Sequence, residues 1–231
     1  MSKKGCVAGT TISERLFESL CYHREIPCQR IPTAKHSTPD YEIVLGAKRV
    51  FVEVKQLDPN ADDIQHNQAL ATIPNNVIGP VDCPAPRVRE QIARAYRQLK
   101  TAARNGEPCL LVIYNNSGPL NYIDEFTVTT AMFGRYGVRF GLARTGYIRE
   151  IGRGFMGDAK LTRNTCKALS AVGILEGRQS GVLSLDVYHN PFALTPIELA
   201  IIAPLATSQF RHPNPHTGNF VSWEPAQIEN N

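Results

Sequence analysis

Thr38-Pro39-Asp40-Tyr41-Glu42-Ile43, followed by Phe51-Val52-Glu53-Val54-Lys55-Gln56, are the stretches whose reading decides the fold. Both read as strands, over residues 40–45 and 49–57, joined by Gly46-Ala47-Lys48. Side chains alternate faces along a strand, so Glu53 and Lys55 share a face with Phe51, while Val50, Val52 and Val54 point the other way. An acid and a lysine set among valines on a central strand cost free energy to bury unless something compensates them. They could instead form a solvated pair on the wet face of an antiparallel sheet, but residues 49–57 hold few other polar groups. Pairing Leu45 with Val50 sets Asp40 opposite Lys55 and Glu42 opposite Glu53, with Asp40 diagonal to Glu53. Carboxylates that close repel unless a cation lies between them. Two carboxylates, water and a phosphate oxygen suit magnesium. A lysine beside them can position or deprotonate an attacking water, or stabilise charge on a phosphate.

Outward from this pair, residues 11–25 read as a helix with Ile12, Leu16, Leu20, Phe17 and Cys21 in an apolar stripe. Thr11 and Glu14 fit a capping box, and Pro27 marks the far end. Residues 28–31 form a short strand. Residues 58–86 are a long connection with five prolines and a short helix near 61–73, a candidate loop over substrate. Residues 87–104 predict an amphipathic helix with Val88, Ile92, Ala95, Tyr96 and Leu99 inward, stopped by Asn105-Gly106. Residues 109–114 are continuously apolar, as a central buried strand is. Beyond Ser117 the pattern weakens: 135–150, 166–175 and 182–188 read as strands, and the end from Phe210 as extended or loose. The order implies one α/β domain over 1–231, with a core at 11–116 and a C-terminal elaboration at 117–231.

The 231 residues are 42% hydrophobic and 20% charged, which excludes wholesale disorder. No apolar run has the length of a membrane span, and the opening residues carry no apolar signal core, so a cytoplasmic place is expected. Six scattered cysteines without a Cys-x-x-Cys pair read as free thiols, and no thiol nucleophile is expected. His212 and His216 lie in a proline-broken tail where zinc binding is not expected, and His189 reads as a satisfied histidine at a strand end. Net charge is only +4, but residues 87–104 carry +5 and 135–178 carry +6, leaving −7 elsewhere. These stretches are either solvated faces or a surface for a polyanion.

Pro39-Asp40, then Glu53-Val54-Lys55, resembles the PD-(D/E)XK motif of the restriction-endonuclease-like nucleases. The order helix, three strands, helix, strand over residues 11–114 is similar to that superfamily's core, a central mixed sheet flanked by helices, here with extra C-terminal strands. Ser13-Glu14-Arg15-Leu16-Phe17-Glu18 resembles its first helix, which often carries a further metal-directed acid: Glu14, or Glu18 one turn later. The resemblance implies an endonuclease, a phosphodiesterase in which Asp40 and Glu53 hold Mg2+ (or Mn2+), with Glu14 or Glu18 in support. Lys55 would serve a water attacking phosphorus in line, leaving a 5′-phosphate. Arg89, Arg94, Gln98 and Gln56 are the candidate contacts to nucleic acid, DNA before RNA, with Gln91 a further possibility on the same helix. The resemblance also implies a homodimer that cuts both strands, as many members are. Two other classes stay open: a catalytically silent nucleic-acid-binding module, and an interaction protein in which the motif is chance.

Overall fold

The computed structural model describes residues 10–32, 38–72, 83–118, 122–142, 144, 146–177, 182–212 and 224–225. Helix α1 (Ile12–His23) begins with the expected capping box: Thr11 accepts from the Glu14 N–H, and the Glu14 carboxylate accepts from Thr11 N–H. Phe17, Leu20 and Cys21 are its buried stripe. It stops before Pro27, because Glu25 takes a left-handed φ of 54° while Glu25 N–H and Ile26 N–H bond back to Tyr22 and Cys21 carbonyls. Thr11→Ala removes the cap and should lower stability by about 1 kcal/mol, read as a shift in the urea midpoint.

Strand β1 (Cys28–Arg30) pairs antiparallel with β2 (Tyr41–Leu45), which pairs antiparallel with β3 (Lys48–Leu57). The turn between β2 and β3 is two residues, Gly46-Ala47, with Gly46 at a φ of +60°. This is shorter than the expected Gly46-Ala47-Lys48 connection, and Leu45 faces Lys48 where Val50 was expected. Helix α2 (Ala61–Thr72) follows, started by Asn60 and Asp63, each of whose side chains accepts from the other's N–H. Helix α3 (Ala85–Arg104) buries Val88, Ile92, Ala95 and Leu99, with Tyr96 half-buried, and ends at Asn105 and Gly106. Strand β4 (Cys109–Asn115) lies parallel to β3, and Cys109 to Ile113 are wholly buried.

Helix α4 (Glu125–Phe133) was not anticipated. Every residue from Thr127 to Phe133 is buried, so it has no polar face to set a helical period, and its valine and threonines favour strand. Residues 135–150, expected as one strand, are instead parts of a separate hairpin, β5 (Arg135–Leu142) and β6 (Ile148–Met156). Strand β7 (Ala171–Gly177) begins later than expected and pairs parallel with β4 and antiparallel with β8 (Leu183–His189). A short helix α5 (Leu199–Ile202) precedes β9 (Ser208–Arg211), parallel to β8, and β10 (Glu224–Pro225) closes the edge. His216 and most of the tail lie outside the described residues.

The result is a mixed α/β architecture: a sheet ordered β1-β2-β3-β4-β7-β8-β9-β10 with helices on its faces. Helix α1 packs with Val50, Val52, Val54, Leu110 and Val112 on one side, and α3 and α4 with Leu111, Ile113 and Val172 on the other. Among the described residues no helix is long and apolar enough to cross a membrane, and the five described cysteines are free thiols.

Candidate functional site

Face alternation along β3 sends Glu53 and Lys55 to the α3 side of the sheet, as the sequence predicts. The hairpin register differs from expectation by two residues: Glu42 faces Phe51, and Asp40, one step beyond Tyr41–Val52, stands across from Glu53 instead of Lys55. The two-residue turn is the cause, since a shift by two preserves every side chain's face and only moves its neighbour. Asp40 N–H donates to Val52 O at 3.1 Å, and its carbonyl accepts from Ile31 N–H at 2.9 Å. Strand β2 starts only at Tyr41, so the next donor along β3, Val54 N–H, finds the Asp40 carboxylate instead, at 2.9 Å. The chain thus fixes Asp40 by backbone on both sides and by its own side chain.

Glu53 is 0% exposed. One carboxylate oxygen accepts from Lys55 Nζ; the other, Oε2, is buried and meets no donor group. The side-chain neighbour within hydrogen-bonding reach of this acid besides Lys55 is the Asp40 carboxyl, a bond that needs a proton on one of the two acids. Burial, then the negative charge of Asp40, push the Glu53 carboxyl up to about 7, against the pull of Lys55. Burial also raises Asp40; Val54 N–H and Lys55 counter it, and Glu14 adds to the rise. Two buried acids in contact cannot both ionise at low cost, and a cation received between Asp40 and Glu53 would relieve their repulsion.

Glu14 is near enough to act on Asp40, but both its oxygens are committed: one to Thr11, the other to the Arg30 guanidinium. Burial opposes ionisation of Glu14, yet the Thr11 hydrogen bonds and Arg30 hold its carboxyl below the usual range. It stands behind the pair and does not complete it. Glu18 accepts from Tyr41 hydroxyl at 2.7 Å, on the α1 side of the sheet, and is not brought to the pair. Gln56 also points to α1, accepting from Ser13 N–H at 3.0 Å and donating to Asp58 at 2.5 Å. Arg89 turns inward, donating to Thr130 O at 3.3 Å and facing Asp158 at 3.4 Å. Arg94 is exposed and pairs with Glu90, while Gln98 is half-buried and Gln91 buried on α3.

The residues that close the end of β3 were missed by sequence reasoning. Asp58 accepts from Asn116 at 2.9 Å and from Gln56, which together hold its carboxyl below the ordinary range. Arg87 donates to Asp63 at 2.7 Å and to the Asp58 carbonyl, and Asn67 donates to Ser117 O at 3.1 Å. These polar contacts dock α2, whose Ile64 and Leu70 stay exposed. The acid three residues after Asn60 was the readable signal for the α2 start.

Among the described residues no group of three His, Cys, Asp or Glu side chains is arranged to hold a metal. The donor set offered is Asp40 and Glu53, hard oxygens from two acids set against each other. It fits Mg2+ or Mn2+, which take one or two carboxylates and fill the remaining positions with water and phosphate. It does not fit zinc, which prefers closed sets with nitrogen or sulfur.

No family model matches the chain, and no curated protein matches it. Among solved structures, it is similar to Pyrococcus furiosus SfsA in complex with Ca2+. The identity is 18% and the TM-score 0.25. The overlap covers 61% of this chain and 60% of that one, less than two thirds of either.

Proposed function

We propose that the chain is a metal-dependent phosphodiesterase acting on nucleic acid, DNA before RNA, built on a restriction-endonuclease-like core. In that reading α1, β1 to β3, α3 and β4 are the core, α2 is inserted, and the strands from β5 onward are elaboration. The observation that carries it is the buried Glu53 carboxyl, with one oxygen on Lys55 and the acid set against the Asp40 carboxyl, two acids that can ionise together only if a cation or a shared proton lies between them. Asp40 and Glu53 would hold the metal, which when bound polarises a phosphoryl oxygen and acidifies water. Asp40 is held in place by Val54 N–H. Lys55 is tethered to Glu53, and would orient the attacking water or stabilise charge on phosphate once that acid turns to its ligand. Glu14, neutralised by Arg30, stiffens the wall behind Asp40.

A second reading has one observation in its favour. Engagement of Glu14 by Arg30 leaves two acids at the centre, which suits a binding module that has kept the fold without the chemistry. A labelled panel of duplex, single-stranded, nicked and branched DNA, with RNA, incubated with Mg2+, Mn2+ or EDTA, separates them. Cutting in Mg2+ or Mn2+ that stops in EDTA supports the phosphodiesterase. Binding in EDTA with no cutting in either metal supports the module.

A further inference from the structure

Strands β5 and β6 stand apart from the main sheet as a two-stranded ribbon, and their register sorts its residues by face. Arg135, Arg139 and Arg149 share one face with Met156 and with Gly137, Gly141, Gly152 and Gly154. The other face carries Tyr136, Val138, Phe140, Leu142, Ile148 and Phe155, with Glu150 and Arg153 paired to each other among them. Its root is fastened to the body by rings: Tyr136 to Phe155 at 5.5 Å, and Phe155 to Phe133 at 5.7 Å. Toward the tip the anchoring ends, and Leu142, Tyr147 and Ile148 are 75%, 76% and 72% exposed.

The glycines make room for the side chains across the ribbon: Met156 lies over Gly137, where a Cβ would clash with it. The Arg139 guanidinium lies over Gly152, and a Cβ on Gly141 would meet the bulged Ile151 at 2.9 Å. From Arg135 to Met156 there are five arginines and one glutamate, Glu150, which is taken by Arg153. Arg135, Arg139 and Arg149 make no ion pair among the described residues. Three unpaired cations on one face of a separate two-stranded ribbon, with exposed apolar side chains at its tip, match a polyanion whose bases are also accessible. A ribbon with strands roughly 5 Å apart fits the B-form DNA major groove, about 12 Å wide, and not the deep, narrow one of duplex RNA.

We propose that the β5–β6 ribbon is a duplex-DNA arm: Arg135, Arg139 and Arg149 hold phosphates, and Leu142, Tyr147 and Ile148 meet the bases. This rests on the reading of nucleic acid as substrate and narrows it to duplex DNA. The test is fluorescence anisotropy of the full chain with duplex DNA, its single strand and duplex RNA, in EDTA, across a salt series. Wild type binds duplex DNA tightest. Arg135→Gln/Arg139→Gln/Arg149→Gln reduces the slope of log affinity against log salt by about 2.7, and the matching lysine variant restores it. Leu142→Ser/Ile148→Ser weakens duplex binding at an unchanged slope. An unchanged slope in the glutamine variant, equal affinity for all three nucleic acids, or no duplex binding overturns the arm. So does sedimentation showing that the serine variant dissociates a dimer while duplex affinity stays at the wild-type level. All of this is read without cleavage, so failure of the phosphodiesterase reading shows separately, as no metal-dependent cutting of any substrate.

Discussion

On the proposed phosphodiesterase reading, Lys55→Ala should lower metal-dependent cleavage by roughly 10²–10⁴-fold, the usual worth of a positioned acid–base or charge-stabilising group. The side chain is held at the site by Glu53, so alanine removes a group already in place and does not merely free a surface lysine. Glu53→Gln acts on the other side of the same pair. It keeps the shape and a carbonyl oxygen, but removes the charge that would draw a divalent cation beside Asp40. Its loss should equal or exceed that of Lys55→Ala and should be partly offset by raising the metal concentration, whereas Lys55→Ala should not respond to metal. Single-turnover cleavage across a Mg2+ series, with far-UV circular dichroism to establish folding, makes the comparison. Cutting by both variants at the wild-type rate would remove these residues from the chemistry.

The second large effect is on stability, and its sign follows from the raised carboxyl of Glu53. Folding moves that group from an ordinary value of 4.5 to about 7, so the fold prefers the neutral acid. Its contribution is full below about pH 4.5 and is lost as pH rises through about 7, a change of about 3 kcal/mol. Burial shifts Asp40 in the same direction, so it adds to the loss. In EDTA, Glu53→Gln should therefore gain stability over wild type between about pH 5 and pH 8, even as it loses cleavage. Mg2+ should reverse the order at the alkaline end, because both acids must be ionised to receive it and binding releases their protons. Urea unfolding at several pH values, with and without Mg2+, reads this directly. Parallel wild-type and Glu53→Gln curves across that range would mean that Glu53 is ionised at no cost and that the site does not store this strain.

Local signals were legible where the pattern depends only on neighbours along the chain. Thr11 and Glu14 marked the start of α1, and the alternation of β3 put Glu53 and Lys55 on one face. The continuous apolar run at Cys109 to Ile113 identified the central strand. Helix α4 escaped for the converse reason: buried all round, it has no amphipathic period, and only its Asp124 cap and Gly134 stop could be read. Arg89 and Arg94 look alike on the page, yet one lies against Thr130 and Asp158 and the other pairs at the surface.

The sequence by itself determined which side chains share a face, because strand and helix periods are local properties of the backbone. It placed Asp40, Glu53 and Lys55 on the same side of one hairpin. Only the tertiary structure decided which of them meet. A two-residue turn moved Asp40 from Lys55 to Glu53, and burial under α3 turned an ordinary acid into one raised toward neutrality. Arg30, from a neighbouring strand, claimed Glu14. These are long-range effects of register, solvent exclusion and charge at a distance, and none of them leaves a periodic trace in the chain.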